Sequence, residues 1–454
     1  MYSKKILQIL RKQNIAIGDK IKISYPSEKK EFEGILLPKP SGSSPNTILL
    51  KLSSGYNIGL DIEGATITKL SSSLSFRVEE NKIKNKNLEN QKYENSFVLL
   101  GAGGTISSKI DYLTGAVDSK LDPQEIISAY PELKEFEPLK TKNLFNLLSE
   151  NIAQEEWEIL AAEIKSIFDD GANAVVVLHG TDTLSYSAAA MNYALEGLAK
   201  PLIFCGSQRS SDRPSSDARQ NLFCSLVAAK NKIAGTYVCM HATTTDDYNY
   251  LHLATRVRKN HTSARWAFRS IGVKPVAKIF FKENRIELNE SLILPKYDEK
   301  SKINLKNKFS NLVHLCWSYP GLNLEEIKHW SKYEGVVIAG TGLGHLPIYS
   351  HREEIHKKII KELKELVESG VILVMASQAI EGRVILQTYS TGRILDDIGI
   401  IGNGCDWLVE TAFVKLCWAL GQSKDPKKVK ELLLKPLNYD ITPFSYIDIL
   451  EQDF

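Results

Sequence analysis

The chain has 454 residues, 43% hydrophobic and 24% charged, a composition expected of a globular protein whose core is divided over two or three domains. Its 57 basic and 54 acidic residues leave a net charge of +3, too even a balance for a surface dedicated to nucleic acid or membrane, so any RNA contact is expected to be local or made through a partner. No apolar run approaches bilayer-spanning length, residues 1–11 lack the apolar core of a signal peptide, and the six scattered cysteines form no CxxC pair, which argues against membrane, zinc and redox-motif classes and fits a reducing, cytoplasmic compartment.

Residues 17–70 alternate with period two, as in Ile21, Ile23 and Tyr25 and again in Tyr56, Ile58, Leu60 and Ile62. Clusters of Pro, Ser and Gly separate the runs, so residues 1–78 read as a small antiparallel β-barrel. Residues 79–95 are dominated by Lys, Glu and Asn and read as a linker. Beyond it the rhythm changes. Trp157, Leu160, Ile164 and Ile167 recur at helical spacing, Gly171 stops the helix, and 174–178 is an apolar run suited to a strand covered on both faces.

That alternation continues to residue 285, giving a large α/β domain over 96–285 with a parallel sheet. A charged, helix-poor connection over 286–309 leads to a second and smaller α/β domain at 310–425, and 426–454 reads as a tail. The expected fold class is therefore α/β: an antiparallel β-barrel followed by a body of two parallel-sheet domains.

Two loops carry oxygen-bearing side chains where buried strands are expected to end. Gly101-Ala102-Gly103-Gly104-Thr105 follows one run and His179-Gly180-Thr181-Asp182-Thr183 another. Ligands of open parallel sheets sit beyond the carboxyl ends of the strands, so two such loops could aim hydroxyls and a carboxylate at one small molecule. Thr105 follows two glycines whose amides could face a developing oxyanion, or the glycines serve only a turn. The loop is neither a P-loop nor a GxGxxG fingerprint.

Thr181, Asp182 and Thr183 are ordinary helix N-caps, but one suffices for capping, which frees Asp182 to hold a substrate ammonium group. Lys259 lies in a basic run that reads by itself as a solvated loop, although a lysine desolvated beside a threonine could act as base. His179 and His261 read as structural residues, and no histidine pair has metal-ligand spacing, so no metal site is expected.

The loops GGTI (103–106) and HGTDT (179–183) together resemble the L-asparaginase/glutaminase family. The resemblance is closer to its branch of archaeal glutamyl-tRNA(Gln) amidotransferase GatD chains, through GSQRSSDRPSSDA (206–218), TRVRKNHTS (255–263), GTGLGH (340–345) and YSTGR (389–393). It implies an asparaginase-like two-domain body behind the barrel. It also implies Thr105 as nucleophile or its close equivalent, with Thr181, Asp182 and Lys259 as the activating set. Ser149 and Glu150, with Asp182, would hold the substrate, and Tyr112 would belong to a mobile lid. The division of labour between Thr105 and Thr181 stays open.

The implied reaction is hydrolysis of glutamine to glutamate and ammonia through an acyl-enzyme. The ammonia would pass to a GatE-like partner subunit that amidates Glu-tRNA(Gln), with ATP and Mg held in that partner and no cofactor in this chain. Contact with the tRNA would be mainly through the partner, and the resemblance implies a homodimer within a heterotetramer. A free-standing asparaginase or glutaminase, and an inactive scaffold subunit, are the competing readings.

Overall fold

The computed structural model describes residues 2–27, 29–39, 44–53, 57–71, 92–103, 108–110, 117–119, 127, 130–210, 215–348 and 353–445. At the N-terminus, helix α1 (Lys4–Lys12) precedes five strands, β1 (Lys20–Tyr25), β2 (Lys30–Leu36), β3 (Thr47–Leu52), β4 (Asn57–Asp61) and β5 (Thr66–Ser71). All pairings are antiparallel in the order β4-β3-β2-β1-β5. The period-two residues do what their spacing requires: Ile21 and Ile23 turn inward and meet Ile6 and Leu10 of α1, Ile48, Leu50 and Ile67 in one core. Tyr25 at the end of β1 donates its hydroxyl to the Asp61 carbonyl at the end of β4.

The large domain begins with β6 (Phe97–Gly101), a short antiparallel pair β7 (Ser108–Ile110) and β8 (Val117–Ser119), and β9 (Leu139–Asn143). Helix α2 (Gln154–Asp169), β10 (Ala174–Leu178), helix α3 (Leu184–Ala194), the two-residue β11 (Leu195–Glu196) and β12 (Pro201–Cys205) follow. Then come helix α4 (Ala218–Lys230) and β13 (Gly235–His241). β9, β6, β10, β12 and β13 lie side by side in that order, all parallel. Three antiparallel strands extend the sheet beyond β13: β14 (Tyr248–Leu253), β17 (Ala277–Phe280) and β18 (Arg285–Leu288).

The central strands divide their side chains between two cores. Val175 and Val177 pack with α2 and α3, whereas Ala174, Val176 and Leu178 pack with α4. Burial on both faces is why these strands read as unbroken apolar runs. The order matters for function: β9, next in the sheet after β6, lies on one side of it, and β10 lies on the other. The crevice beyond the carboxyl ends of β6 and β10 is therefore the topological switch point, where open α/β sheets bind ligands.

Between β14 and β17 a short hairpin, β15 (Val257–Lys259) with β16 (Phe268–Ser270), leaves the sheet. After β19 (Asn304–Leu305), which pairs with β11, the small domain has three parallel strands, β20 (Val313–Trp317), β21 (Gly335–Gly340) and β22 (Ile372–Ser377). Its helices are α5 (Leu324–His329), α6 (Glu353–Glu368), α7 (Ser390–Ile398) and α8 (Val409–Gln422). Helix α8 packs on α3 and shares its core, so the apolar interior runs unbroken from the large sheet to Val337 and Val374 of the small one. The region expected as a tail contributes α9 (Pro426–Leu434), capped by Asp425, and a fully buried Asp440.

Candidate active site

Strands β6 and β10 end in register, with Gly101 opposite Leu178. The Ala102 amide carries the ladder one step further by donating to the Leu178 carbonyl at 2.9 Å. Gly103 then turns with φ of +95°, and a side-chain carbon there would lie 2.1 Å from the Leu147 carbonyl oxygen. Backbone conformation and space both require glycine at that point. Gly180, at the end of β10, is equally constrained, because a Cβ would sit 2.7 Å from that of Ser149. The Gly103 turn thus closes on Leu147 and the Gly180 loop on Ser149, two residues further along the segment that enters the turn Ser149–Asn151.

Lys259 reaches this point from the β15–β16 hairpin. Its Nζ donates to Thr181 Oγ1 at 2.9 Å and to Asp182 Oδ1 at 2.6 Å. Thr181 is buried, the lysine side chain is 14% exposed, and the Asp182 side chain is 67% exposed, so the carboxylate stands at the mouth with the hydroxyl behind it. The hairpin is anchored at its base. Arg256, fully buried, donates to the Tyr439 and Asp406 carbonyls and lies 2.9 Å from the Asp406 carboxylate, while Arg258 pairs with Glu410 at 3.2 Å.

Capping does not account for the oxygen-rich loop. The N-cap of α3 is Thr183, which makes no side-chain cap bond and instead donates its hydroxyl to the Ser149 carbonyl at 2.6 Å. Ser149 is buried against Gly180, and Glu150 is exposed on the same turn. Thr105 and Tyr112 lie outside the described residues.

One organising residue, Asp217, is not among the candidates that the sequence singles out. It is fully buried and accepts the backbone amides of Gln208 and Arg209 and the side-chain amide of Asn221, which fixes the loop leaving β12 next to the Thr181 loop. The signal that could have found it is an aspartate one residue ahead of a helix, in a loop rich in serine and arginine. Burial pushes its carboxyl up, while the amides oppose the shift.

The two histidines read as structural are placed as such. His179 is fully buried, and burial lowers it to about 4, with Nδ1 only 2.7 Å from the Gly180 carbonyl. His261 Nδ1 accepts the Ser263 and Ala264 amides and shapes the loop after Lys259. Burial likewise lowers His252 to about 3. Both buried rings, His179 and His252, stay neutral in the fold but protonate in the unfolded chain near the ordinary value of about 6.5, so their contribution is complete above that pH and is lost as pH falls toward 4. Urea midpoints should therefore be level from pH 8 to 7 and fall between pH 6.5 and 5, before most carboxylates titrate. Equal midpoints at pH 7 and 5 contradict this assignment.

All six cysteines are buried and unpaired, and burial pushes Cys239, Cys316, Cys405 and Cys417 up to about 12, which removes a thiolate nucleophile at those positions at neutral pH. Among the described residues no group of histidine, cysteine and carboxylate side chains could hold a metal ion, and no helix is long and apolar enough to cross a membrane.

Comparison with known proteins agrees with this geometry. Residues 96–294 match the asparaginase N-terminal domain, 313–433 the glutaminase/asparaginase C-terminal domain, and 15–70 the GatD N-terminal domain. The chain is 39% identical over 445 residues to the D subunit of the glutamyl-tRNA(Gln) amidotransferase of Pyrococcus abyssi, covering 97% of this chain and 98% of that protein. It is 40% identical over 432 residues to the protein of the same name from Methanobrevibacter smithii, with 94% of each covered. Among solved structures, the thermostable L-asparaginase from Thermococcus kodakarensis aligns with a TM-score of 0.66 and 25% identity, over 76% of this chain and 99% of that one.

Proposed function

The chain belongs to the asparaginase family, on the GatD branch of glutamyl-tRNA(Gln) amidotransferases, and from that premise we propose that it hydrolyses glutamine and hands the ammonia to a partner subunit. The observation that carries this reading is the lysine bonded to both Thr181 Oγ1 and Asp182 Oδ1 at the switch point of the sheet. A hydroxyl, a lysine nitrogen and a carboxylate meet there, and the strand paired with β10 leads in sequence to a second threonine.

Thr105 is the nucleophile in this reading. Its oxygen adds to the side-chain amide carbon of glutamine, and its proton passes to Thr181 Oγ1 as that hydroxyl gives its own proton to Lys259 Nζ, which takes it up as the free amine. Backbone amides of the glycine loop receive the oxyanion. Return of a proton to the amide nitrogen releases ammonia and leaves an acyl-threonine. Water then adds to that ester, releases glutamate and restores the hydroxyl. Asp182 at the mouth, with Ser149 and Glu150 on the neighbouring turn, holds the charged ends of the amino acid, and Tyr112 belongs to the segment that closes over it.

The domain over 15–70 is the feature that separates this chain from asparaginases that align with its body alone, and it supports coupling to a GatE-like partner. That partner would bind ATP and Mg and most of the tRNA, and two copies of this chain would form a homodimer within a heterotetramer. The test is glutamine hydrolysis by the chain alone and with the partner and Glu-tRNA(Gln), on wild type and Thr105→Val. The expected result is a rate that rises on adding the partner and tRNA and falls at least ~10³-fold in the variant. Full hydrolysis unchanged by partner and tRNA supports the free-standing reading. Glutamine-dependent formation of Gln-tRNA(Gln) that survives Thr105→Val excludes Thr105 as nucleophile.

A further inference from the structure

Beside the β15–β16 hairpin, strands β14 and β16 border a cavity of about 180 Å³. Its walls are largely aromatic, made by Tyr250, Trp266 and Phe268, with Pro275 beside them. Its polar lining is Arg269, whose guanidinium lies 5.4 Å from the Trp266 ring, with Thr243, Thr244, Ser270 and His252. The His252 side chain is fully buried, its Nδ1 lies 2.8 Å from Ser270 Oγ, and its Nε2 has no hydrogen-bond partner among the described residues. The period of two along each strand produces the arrangement, because Tyr250 and His252 share one face of β14 and Phe268 and Ser270 share one face of β16. Thr244 is exposed at the rim, with Ala242 and Thr243 half-buried beside it.

We propose that this cavity is a second ligand site, taking a single aromatic ring that bears one hydroxyl, with the ring against Tyr250, Trp266 and Phe268 and the hydroxyl on His252 Nε2. Size and chemistry each set part of that specification. An apolar cavity of ~150 Å³ accepts benzene, so the space here suits one ring with a small substituent. A buried donor or acceptor without a partner is costly, and a ligand that meets it gains what a purely apolar one cannot. Whether Nε2 carries the proton depends on which way the Ser270 bond runs. A hydroxyl both donates and accepts, so it matches either tautomer. Phe268 is the cross-strand partner of Lys259, which places the site one strand from the proposed catalytic lysine.

The test uses the full chain with phenol and benzene as probes, each titrated to millimolar concentration and followed by ligand-observed NMR and thermal unfolding. Phenol should bind wild type and raise its melting temperature, with benzene about fivefold weaker. His252→Phe should bring the two probes level. Ala242→Phe, which fills the rim, should abolish phenol binding; Thr244→Trp, at an exposed position where folding is not at stake, should weaken it. Absence of phenol binding to wild type, or binding unchanged in both rim variants, overturns the site. So does a change of sedimentation coefficient in Thr244→Trp, which would mean that a second copy of the chain covers the cavity. Because binding is read without catalysis, the glutaminase reading can fail while this result stands, and the reverse.

Discussion

Lys259→Met should lower kcat for glutamine hydrolysis by about 10³-fold while the protein keeps its stability, with a melting temperature within about 2 °C of wild type. The two expectations come from the same geometry. Lys259 Nζ is bonded to Thr181 Oγ1 and Asp182 Oδ1, and among the described residues no other group joins those two side chains. The contact holds Thr181 Oγ1 against Lys259 Nζ, so that a proton taken up at that oxygen can pass on to the lysine. Losing such a group removes proton transfer and the orientation of the hydroxyl together.

Folding depends on it far less, because the Asp182 side chain is mostly exposed and an ion pair open to solvent contributes about 0–1 kcal/mol. Lys259→Arg keeps the charge but not the compact ammonium, and should recover less than a tenth of the lost rate. Steady-state kinetics with a melting curve on the same samples decides the matter. A variant with kcat within a factor of ten of wild type contradicts the role given to Lys259.

Asp440→Ala should have the larger effect on stability, a loss of about 3–5 kcal/mol. Lys415 and Asp440 are both fully buried, 2.7 Å apart, between helix α8 and the chain after α9. The lysine also donates to the Lys435 carbonyl at 2.7 Å, and the Tyr193 hydroxyl donates to Asp440 Oδ2 at 2.8 Å. Burial pulls the lysine pKa down and Asp440 opposes the shift; the Tyr193 phenol is pushed up by burial and then by the same carboxylate.

Removing the carboxylate strands an ammonium in a dry interior and frees the phenol's proton at the same time. The cost of a single substitution is therefore that of an unpaired buried charge, larger than the net value of the pair. The double variant Lys415→Met/Asp440→Ala should be more stable than Asp440→Ala alone. Denaturant unfolding of wild type, both single variants and the double variant measures this directly. Additive losses around that cycle would falsify the pairing. Since Tyr193 is in α3, whose N-terminus follows Thr181 and Asp182, hydrolysis by the folded fraction of each variant shows whether the site survives loosening of the C-terminal segment.

Much of the frame was legible because its causes are local. The run Ala174 to Leu178 could only be a strand covered on both faces, and the spacing of Trp157, Leu160 and Ile164 could only bury one stripe of a helix. The region past residue 425 was harder to read, because a lone aspartate such as Asp440 carries no periodicity and its burial depends on a lysine and a tyrosine from distant helices.

The site divides in the same way. Thr181, Asp182 and Thr183 stood out by having more oxygen atoms than a helix N-terminus uses, and the structure bonds the first two to Lys259 and the third to the Ser149 carbonyl. Lys259 itself looked like one more cation in a solvated run, since nothing near it in sequence shows that Arg256 and Arg258 are tied to Asp406 and Glu410 in the small domain.

By itself, then, the sequence determined the frame of strands and helices up to the segment past residue 425, though not the β15–β16 hairpin, together with the two glycine-threonine loops and the family whose motifs they share. All of these follow from patterns a few residues long or from motifs read as text. Only the tertiary structure decided that β6 and β10 end side by side at the switch point, and that a lysine some eighty residues further along the chain meets Thr181 and Asp182 there. Strand order and the anchoring of a hairpin are set by burial and charge pairing between segments far apart in the chain, and no local spacing records them.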